Sequence, residues 1–427
     1  MIVHGSVAVP GDKSLTHRLL LLAGLTSGRS RLRGALTSLD ARSTARILRG
    51  LGIGVSSLRP NADVVVHGRT RFKRPTNTLH CGNSGTTARL SLGLLAAHSF
   101  AARLTGDNSL RRRPMRRVTE PLAQMGAQFG PVDPSTLPLT IRGGPLRPLE
   151  WQLPVSSAQI KGCLLFAGMA GGVPVSLREP GGRSRDHTER LLRAFGYAVV
   201  EDATGWLHFS PSGALVPFDL TIPGDPSSAA FLLGTALLAE GGSLRVRGVG
   251  LNPTRTGFLR VLDRMGAKVT ESSGGESCGE PVGDLEVVPG PLRATSVLAE
   301  EIPGLIDEVP VLAVLASRAL GESRFHEVGE LRVKESDRLG LLAANLRAIG
   351  SRAAVEGNAL VVAGGAAPPA GRVHTAGDHR IAMAFATLRA VPGARVHIDD
   401  MACAEVSFPG FAATLHSLLR RKGSLRG

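Results

Sequence analysis

A helix-like stretch that stops at a glycine and passes at once into an extended piece recurs along this chain, and a recurrence of that kind limits the architectures open to it. The copies lie at Leu48–Val55, Leu122–Phe129, Leu192–Val199 and Leu262–Val269, with a fifth at Leu346–Gly350 and a weak sixth at Leu419–Gly423. Their marker glycines, Gly52, Gly126, Gly196, Gly266, Gly350 and Gly423, are 70 to 84 residues apart, too far for a solenoid, whose period is roughly 20–50 residues. Each repeat is therefore a small fold of its own. Upstream of the glycine the pattern is that of an amphipathic helix, as in Thr188–Arg193. The glycine suits the left-handed position that ends a helix, and the alternation after it starts a strand. Further strands are predicted at Asp63–His67, Ser243–Arg247 and Ala359–Val362. A weaker one is Leu137–Arg142, where Pro138 cannot donate to a ladder and so belongs at an edge or a strand start.

Six copies of one helix-rich α/β unit predict two domains of three units each, a division that suits 427 residues. The Gly/Pro/Ser cluster Gly224–Ser228 reads as the linker between the third and fourth copies, and Gly364–Gly371 reads as a loop. With 50 Lys and Arg against 35 Asp and Glu, the net charge of +15 makes a field that attracts anions. Aromatic residues are only 4%, which counts against the stacking platforms that single-stranded nucleic acid needs. Cys81, Cys163, Cys278 and Cys403 never fall at C-x-x-C spacing, so neither a zinc site nor a disulfide framework is expected, and a reducing, cytoplasmic setting fits. Met1–Gly5 lacks a signal-peptide pattern and no run of about 18 apolar residues occurs, so export and membrane spanning are not expected.

The chemistry lies in short polar segments that lead into helices. Pro10–Arg18 is a Gly-containing turn feeding a helix, with Lys13, Ser14 and Arg18 as donors; it suits an anion site or an ordinary capped helix, and it is not a Walker A loop. Cys81–Arg89 is again small and polar, and at Gly85 a ligand can approach the backbone. Asp107–Arg117 carries five arginines in its last seven residues, with Pro114 stiffening the loop so that one guanidinium can clamp a carboxylate or phosphate. Ser156–Gly162 offers the neutral groups of Ser157 and Gln159 for hydroxyls, and Arg183, Arg185 and His187 follow, a combination that fits a polyol phosphate. In the other half, Asp307 and Glu308 form an acid pair between apolar residues, where partial burial favours a base. Lys334 and Arg338 are four apart, hence on one face if the segment is helical, with Glu335 adjacent. Arg380 precedes a further helix.

Together and in this order, from Gly11 to about Pro409, these segments resemble the family of 5-enolpyruvylshikimate-3-phosphate synthases, a branch of the enolpyruvyl transferases. The resemblance implies an α/β (α+β) fold of two domains, each of three βαβαββ units, an inside-out α/β barrel. Residues 1–12 plus 224–427 would form the domain closed by both chain ends and 13–223 the inserted one, with the active site in the cleft between them, completed when they close. It implies that Lys13, Gly85, Arg113, Gln159, Arg338 and Arg380 bind phosphoenolpyruvate, and that Lys13, Ser14, Arg18, Ser157, Gln159, Arg185, Asp307 and Lys334 bind shikimate 3-phosphate. Asp307 would take the proton of the ring's 5-hydroxyl as it attacks C2 of phosphoenolpyruvate, and Glu335 with Lys13 would protonate C3. Loss of phosphate from the tetrahedral product would then restore the double bond. No metal or organic cofactor is implied, in keeping with the absence of a Cys/His ligand pattern. The partners are two small anionic substrates, with no nucleic acid and no membrane, and a cytoplasmic monomer is expected.

Two departures from the family pattern stand out. Some relatives carry a Lys shortly before the C-terminal Phe-Pro, where this chain has Ala404–Pro409, and the density of arginines over Arg111–Arg117 leaves Arg113 picked out by its Arg-Pro pair. The nearest rival, UDP-N-acetylglucosamine enolpyruvyl transferase, usually carries a Cys before that pair, and none is near Arg113-Pro114. A nucleic-acid-binding protein is the rival of a different class; here the basic residues sit in Gly-rich turns on both halves and not in one stripe.

Overall fold

At Gly52, Gly126, Gly196, Gly266 and Gly350 the backbone turns left-handed, with φ between +81° and +118° in the computed structural model. The glycine N–H donates three residues back and the next N–H five residues back: Gly52 to Arg49 with Ile53 to Leu48, and Gly196 to Arg193 with Tyr197 to Leu192. The same pair of bonds recurs at the other three glycines. This is the Schellman closure, which satisfies carbonyls that a helix end leaves open and costs a side chain strain that glycine avoids. The helices so closed are Leu39–Gly50, Arg116–Met125, His187–Ala194, Gly257–Arg264 and Arg338–Ala348. A strand follows each one, for example Ala198–Glu201 and Arg352–Glu356. The structure describes residues 1–132, 134–181 and 183–420, so the sixth copy at Gly423 lies outside the described residues.

The repeat is a βαβαββ unit. Leu149–Gln152 pairs parallel with Val175–Arg178, which pairs antiparallel with Trp206–Ser210, which in turn pairs with Ala198–Glu201. Leu79–His80, Ala101–Thr105, Leu139–Arg142 and Gln128–Gly130 repeat that order. In the first copy the leading place is taken by Asp219–Thr221, from the far end of the segment, parallel to Arg29–Arg33. The strand that opens the chain, Ile2–Ala8, instead leads the fourth copy, parallel to Gly241–Gly250, and Leu419–Arg420 pairs with its other edge. Two copies thus borrow their first strand from distant sequence. The fifth has Ser296–Val297 beside Glu322–Phe325 and a hairpin, and the sixth shows the parallel pair Ala370–Val373 and Arg395–Ile398.

The chain divides into two compact units. One comprises Met1–Pro10, Pro223–Glu276 and Pro281 onward; the other comprises Gly11–Ile222 with Ser277–Glu280. Each has its own core, with Phe231, Phe258, Phe385 and Phe411 in the first and Leu19, Leu92, Phe166 and Phe209 in the second. Helix Pro226–Leu237 is buried along its whole length, and its apolar residues are not confined to one face. In the second unit Gly85–Ala96 and Ala158–Gly171 press backbone against backbone: a methyl on Gly93 would lie 2.0 Å from the carbonyl oxygen of Cys163. Among the described residues no helix is long and apolar enough to cross a membrane.

One sequence expectation changes here and another is narrowed. Gly224–Ser228 is no linker: Asp225 caps helix Pro226–Leu237 through the Ser227 N–H at 2.7 Å, Pro226 takes the first turn, and Asp225, Ser227 and Ser228 are buried. Turn formers and helix-start residues are the same types, and burial decides between them. Pro138 precedes a strand that is paired on both sides, so of the two places open to it the strand start is the one it occupies.

Candidate active site

The residues singled out in the second unit stand at or just before helix beginnings, with Arg18 one turn inside its helix. Lys13 opens helix Lys13–Leu25, capped by Asp12, whose carboxylate accepts from the Leu15 N–H at 2.8 Å. Gly85 opens its helix behind the Ser84 cap, and Ser157 and Gln159 begin Ala158–Gly171. Arg113 and Arg185 lie in the loops that enter Arg116–Met125 and His187–Ala194. Free backbone N–H groups and the positive ends of helix dipoles make such places suited to anions.

Two groups of contacts link them. Around Gly85, Arg89 donates to Gln159 Oε1 and to the Pro114 carbonyl (3.0 Å), and Gln159 Nε2 donates to Thr86 Oγ1 at 3.0 Å. Arg113 is buried and donates to Asn83 Oδ1 and to Ser109 Oγ (3.2 Å). A methyl on Gly85 would come within 2.8 Å of one Arg89 nitrogen and 3.4 Å of one of Arg113, so the space over this glycine belongs to two guanidiniums. In the other group, buried Arg18 donates to Thr188 Oγ1 (2.8 Å), the Ser14 carbonyl (3.1 Å) and the Ala158 carbonyl (3.2 Å). Burial lowers its pKa to about 10 against the pull of Glu189, Asp12 and Glu280, and the charge of Arg185 lowers it further. Lys13 Nζ lies 3.2 Å from Asp40.

In the first unit, one arginine gathers three carboxylates. Fully buried Arg338 donates from Nε to Asp378 at 2.8 Å and lies 2.5 Å from Glu335 and 3.5 Å from Asp307. Burial alone would lower its pKa, but Asp378, Glu335 and Asp307 raise it above the ordinary arginine value. Arg380 approaches the Asp307 carboxylate at 3.5 Å and donates to the Asp307 carbonyl at 2.9 Å. Asp307 therefore faces two guanidiniums instead of the apolar wall expected around it, because Arg338 and Arg380 arrive from helices further along the chain. Its neighbour Glu308 is buried and accepts from Ser227, which also holds Arg255 at 2.7 Å. The shared helical face of Lys334 and Arg338 is absent: Lys334 ends a short 3-10 turn, Asp337 caps a new helix, and Arg338 is its first residue. Lys334 is half-buried.

Sequence reasoning missed Asp40 and the joining roles of Arg89 and Asp378. Asp40 stands 27 residues from Lys13 with no local signal. Asp378 carries one that is readable, an Asp directly before a helix start, and its carboxylate serves the Arg380 N–H, Ser336 and Arg338 at once. Among the described residues no group of His, Cys, Asp and Glu is arranged to hold a metal.

Residues 2–415 match the family described as EPSP synthase (3-phosphoshikimate 1-carboxyvinyltransferase). The chain is 43% identical over 419 residues to the 3-phosphoshikimate 1-carboxyvinyltransferase of Acidiphilium cryptum, covering 97% of this chain and 94% of that protein. It is 44% identical over 425 residues to that of Halorhodospira halophila, covering 99% and 94%. The solved EPSP synthase of Acinetobacter baumannii superposes with a TM-score of 0.85 at 34% identity, covering 98% of this chain and 96% of that one. The enolpyruvyl transferase NikO of Streptomyces tendae, at 19% identity and a TM-score of 0.76 over 98% and 95%, shares the fold.

Proposed function

From the premise that the chain belongs to the EPSP synthase (3-phosphoshikimate 1-carboxyvinyltransferase) family, we propose how its clustered residues carry out the reaction. The chain has the enolpyruvyl transferase fold and is an enzyme of the shikimate pathway. It transfers the enolpyruvyl group of phosphoenolpyruvate to the 5-hydroxyl of shikimate 3-phosphate and releases phosphate. The family match sets aside the UDP-sugar and nucleic-acid readings.

One observation carries the assignment of roles: Asp307 and Glu335 are both ion-paired with Arg338, and Asp307 also with Arg380. Phosphoenolpyruvate brings a carboxylate and a phosphate, the groups that arginines grip best. When it takes Arg338 and Arg380, these guanidiniums turn from the two side-chain carboxylates to the substrate, and the carboxylates are set to move protons. Asp307 then accepts the proton of the 5-hydroxyl as its oxygen bonds to C2, while Glu335, with Lys13, delivers a proton to C3. In the second step Glu335 takes a proton back from C3, the C2–O bond to phosphate breaks with phosphate leaving as the anion, and the enol double bond returns. Fixed cations stabilise the charge of the intermediate. Lys13, Gly85, Arg113, Gln159, Arg338 and Arg380 hold phosphoenolpyruvate. Lys13, Ser14, Arg18, Ser157, Gln159, Arg185, Asp307 and Lys334 hold the phosphorylated ring, whose hydroxyls need neutral partners as well as cations.

The four cysteines are unpaired and buried, and burial pushes each thiol up to about 12. Such thiols are poor nucleophiles, which supports a chemistry without cysteine, and four unpaired cysteines fit a reducing, cytoplasmic setting. The test is phosphate release from phosphoenolpyruvate and shikimate 3-phosphate, each omitted in turn. Release should need both and fall by about 10²–10⁴ in Asp307→Ala and Glu335→Ala with the fold intact. Full activity in either variant would refute its role.

A further inference from the structure

Strands Leu149–Gln152 and Val175–Arg178 run parallel in one sheet, so the chain leaves both at the same end. The first exit leads to Ser157 and the helix it caps; the second leads through Glu179 towards Arg185 and helix His187–Ala194. One carboxylate joins the two exits. Glu179 Oε1 accepts from the backbone N–H of Ser157 at 3.0 Å, and its Oε2 accepts from the backbone N–H of Ser184 at 3.1 Å. Behind it stands Lys161, buried, 3.0 Å from Glu179 Oε2 and 2.7 Å from Glu189 Oε1. Burial disfavours the charge on Lys161, yet Glu189 and Glu179 outweigh it and raise the pKa, so the ammonium persists.

Pairing with Lys161 engages Oε2 of Glu179 and does not explain the place of Oε1. Lys161 and Glu189 already form a buried pair, and a second anion there adds desolvation cost unless its oxygens gain something else. What they gain is two backbone N–H groups, one on the residue that caps a helix and one on the residue before Arg185. An ionised carboxylate accepts at both oxygens, whereas an amide accepts at one.

We propose that Glu179 is a positioning residue for the phosphorylated ring substrate, aiming Ser157 and Arg185 by holding the Ser157 and Ser184 backbones on a single carboxylate. The inference rests on the reading of Ser157 and Arg185 as ligands of shikimate 3-phosphate.

Steady-state phosphate release by the full chain, with each substrate varied in turn, tests it in Glu179→Gln and Glu179→Asp. Gln leaves Lys161 paired with Glu189 but gives up one acceptor; Asp keeps the charge but is one methylene short. Losing a hydrogen bond to a charged acceptor at the clamp should raise KM for shikimate 3-phosphate about tenfold in the Gln variant, and less in the Asp variant. KM for phosphoenolpyruvate should stay within about twofold, a split that a merely structural role would not produce. Equal rises in both KM values, or a lowered melting temperature with unchanged kinetics, would overturn the positioning role. Insolubility of both variants would overturn it too, because the residue would then hold the fold. A wild type that releases no phosphate overturns the parent reading and this one with it, a failure visible before any variant is made.

Discussion

Gly93→Ala puts one methyl where two helices meet, and its effect can be worked from the geometry. The added carbon would sit 2.0 Å from the Cys163 carbonyl oxygen and 2.9 Å from its carbon, both backbone atoms. Ordinary carbon contacts begin near about 3.5 Å, so helices Gly85–Ala96 and Ala158–Gly171 must separate by more than about 1 Å. Neither can swing a side chain aside to avoid it. Overpacking a core costs about 1–3 kcal/mol, and with two backbones involved the upper part of that range, about 2–3 kcal/mol, is expected. The same displacement reaches the site, because one helix begins at Gly85 and carries Arg89 while the other carries Gln159, and these two side chains are hydrogen-bonded. A misplacement of about 1 Å is enough for a 10²-fold loss of rate, so kcat/KM should fall by about 10–10² even where the protein is fully folded. Urea unfolding and phosphate-release kinetics on the same preparation measure both effects, with Gly290→Ala, whose methyl would meet nothing within 4 Å, as the matched control. A Gly93→Ala enzyme with the control's urea midpoint and kinetic constants would refute the reasoning.

Asp378→Asn keeps an acceptor for the Arg380 N–H but removes the charge opposite buried Arg338, which retains Glu335 and Asp307; about 2–4 kcal/mol of stability should be lost at pH 7 by urea unfolding. Burial alone would raise the Asp378 pKa, but the Arg338 charge prevails and lowers it. A carboxylate depressed in the folded state stabilises above its unfolded value near about 4 and loses that contribution as pH falls, so the gap between wild type and variant should narrow below pH of about 4. His17 is buried, and burial with the charges of Lys13 and Arg18 takes its pKa from 6.5 to about 3. The unfolded chain then binds the proton more readily, so stability is whole above pH 6.5 and declines as pH falls towards about 3. By pH 5 His17 should account for a loss of about 2 kcal/mol, which a His17→Gln variant should not show in unfolding midpoints compared at pH 7 and pH 5.

What was legible in the sequence was what is decided within a few residues. The helix-ending glycines were readable because a left-handed turn closed by two local hydrogen bonds is a property of the tripeptide and its helix. The segments leading into helices were readable for the same reason. The reading of Gly224–Ser228 went wrong because Asp225 is chosen by its cap and by Arg255, 30 residues on, and composition alone does not separate a buried helix start from a loop. The Lys334–Arg338 face went wrong because the helix capped by Asp337 begins at Arg338, four residues too late to carry Lys334. The neighbours of the predicted residues, Asp40 for Lys13 and Asp378 for Arg338, come from other elements, where sequence periodicity carries no information.

The borrowed strands have a consequence for synthesis. A ribosome delivers Ile2–Ala8 more than 230 residues before its parallel partner Gly241–Gly250. At roughly 5–20 residues per second that is a wait of about 12–50 s. During it the nascent chain can form most of the second unit, including the returning strand Asp219–Thr221, with Ser277–Glu280 still to come, while the strand Ile2–Ala8 has both edges unsatisfied. A strand made early is thus fixed late, one edge waiting for Gly241–Gly250 and the other for Leu419–Arg420.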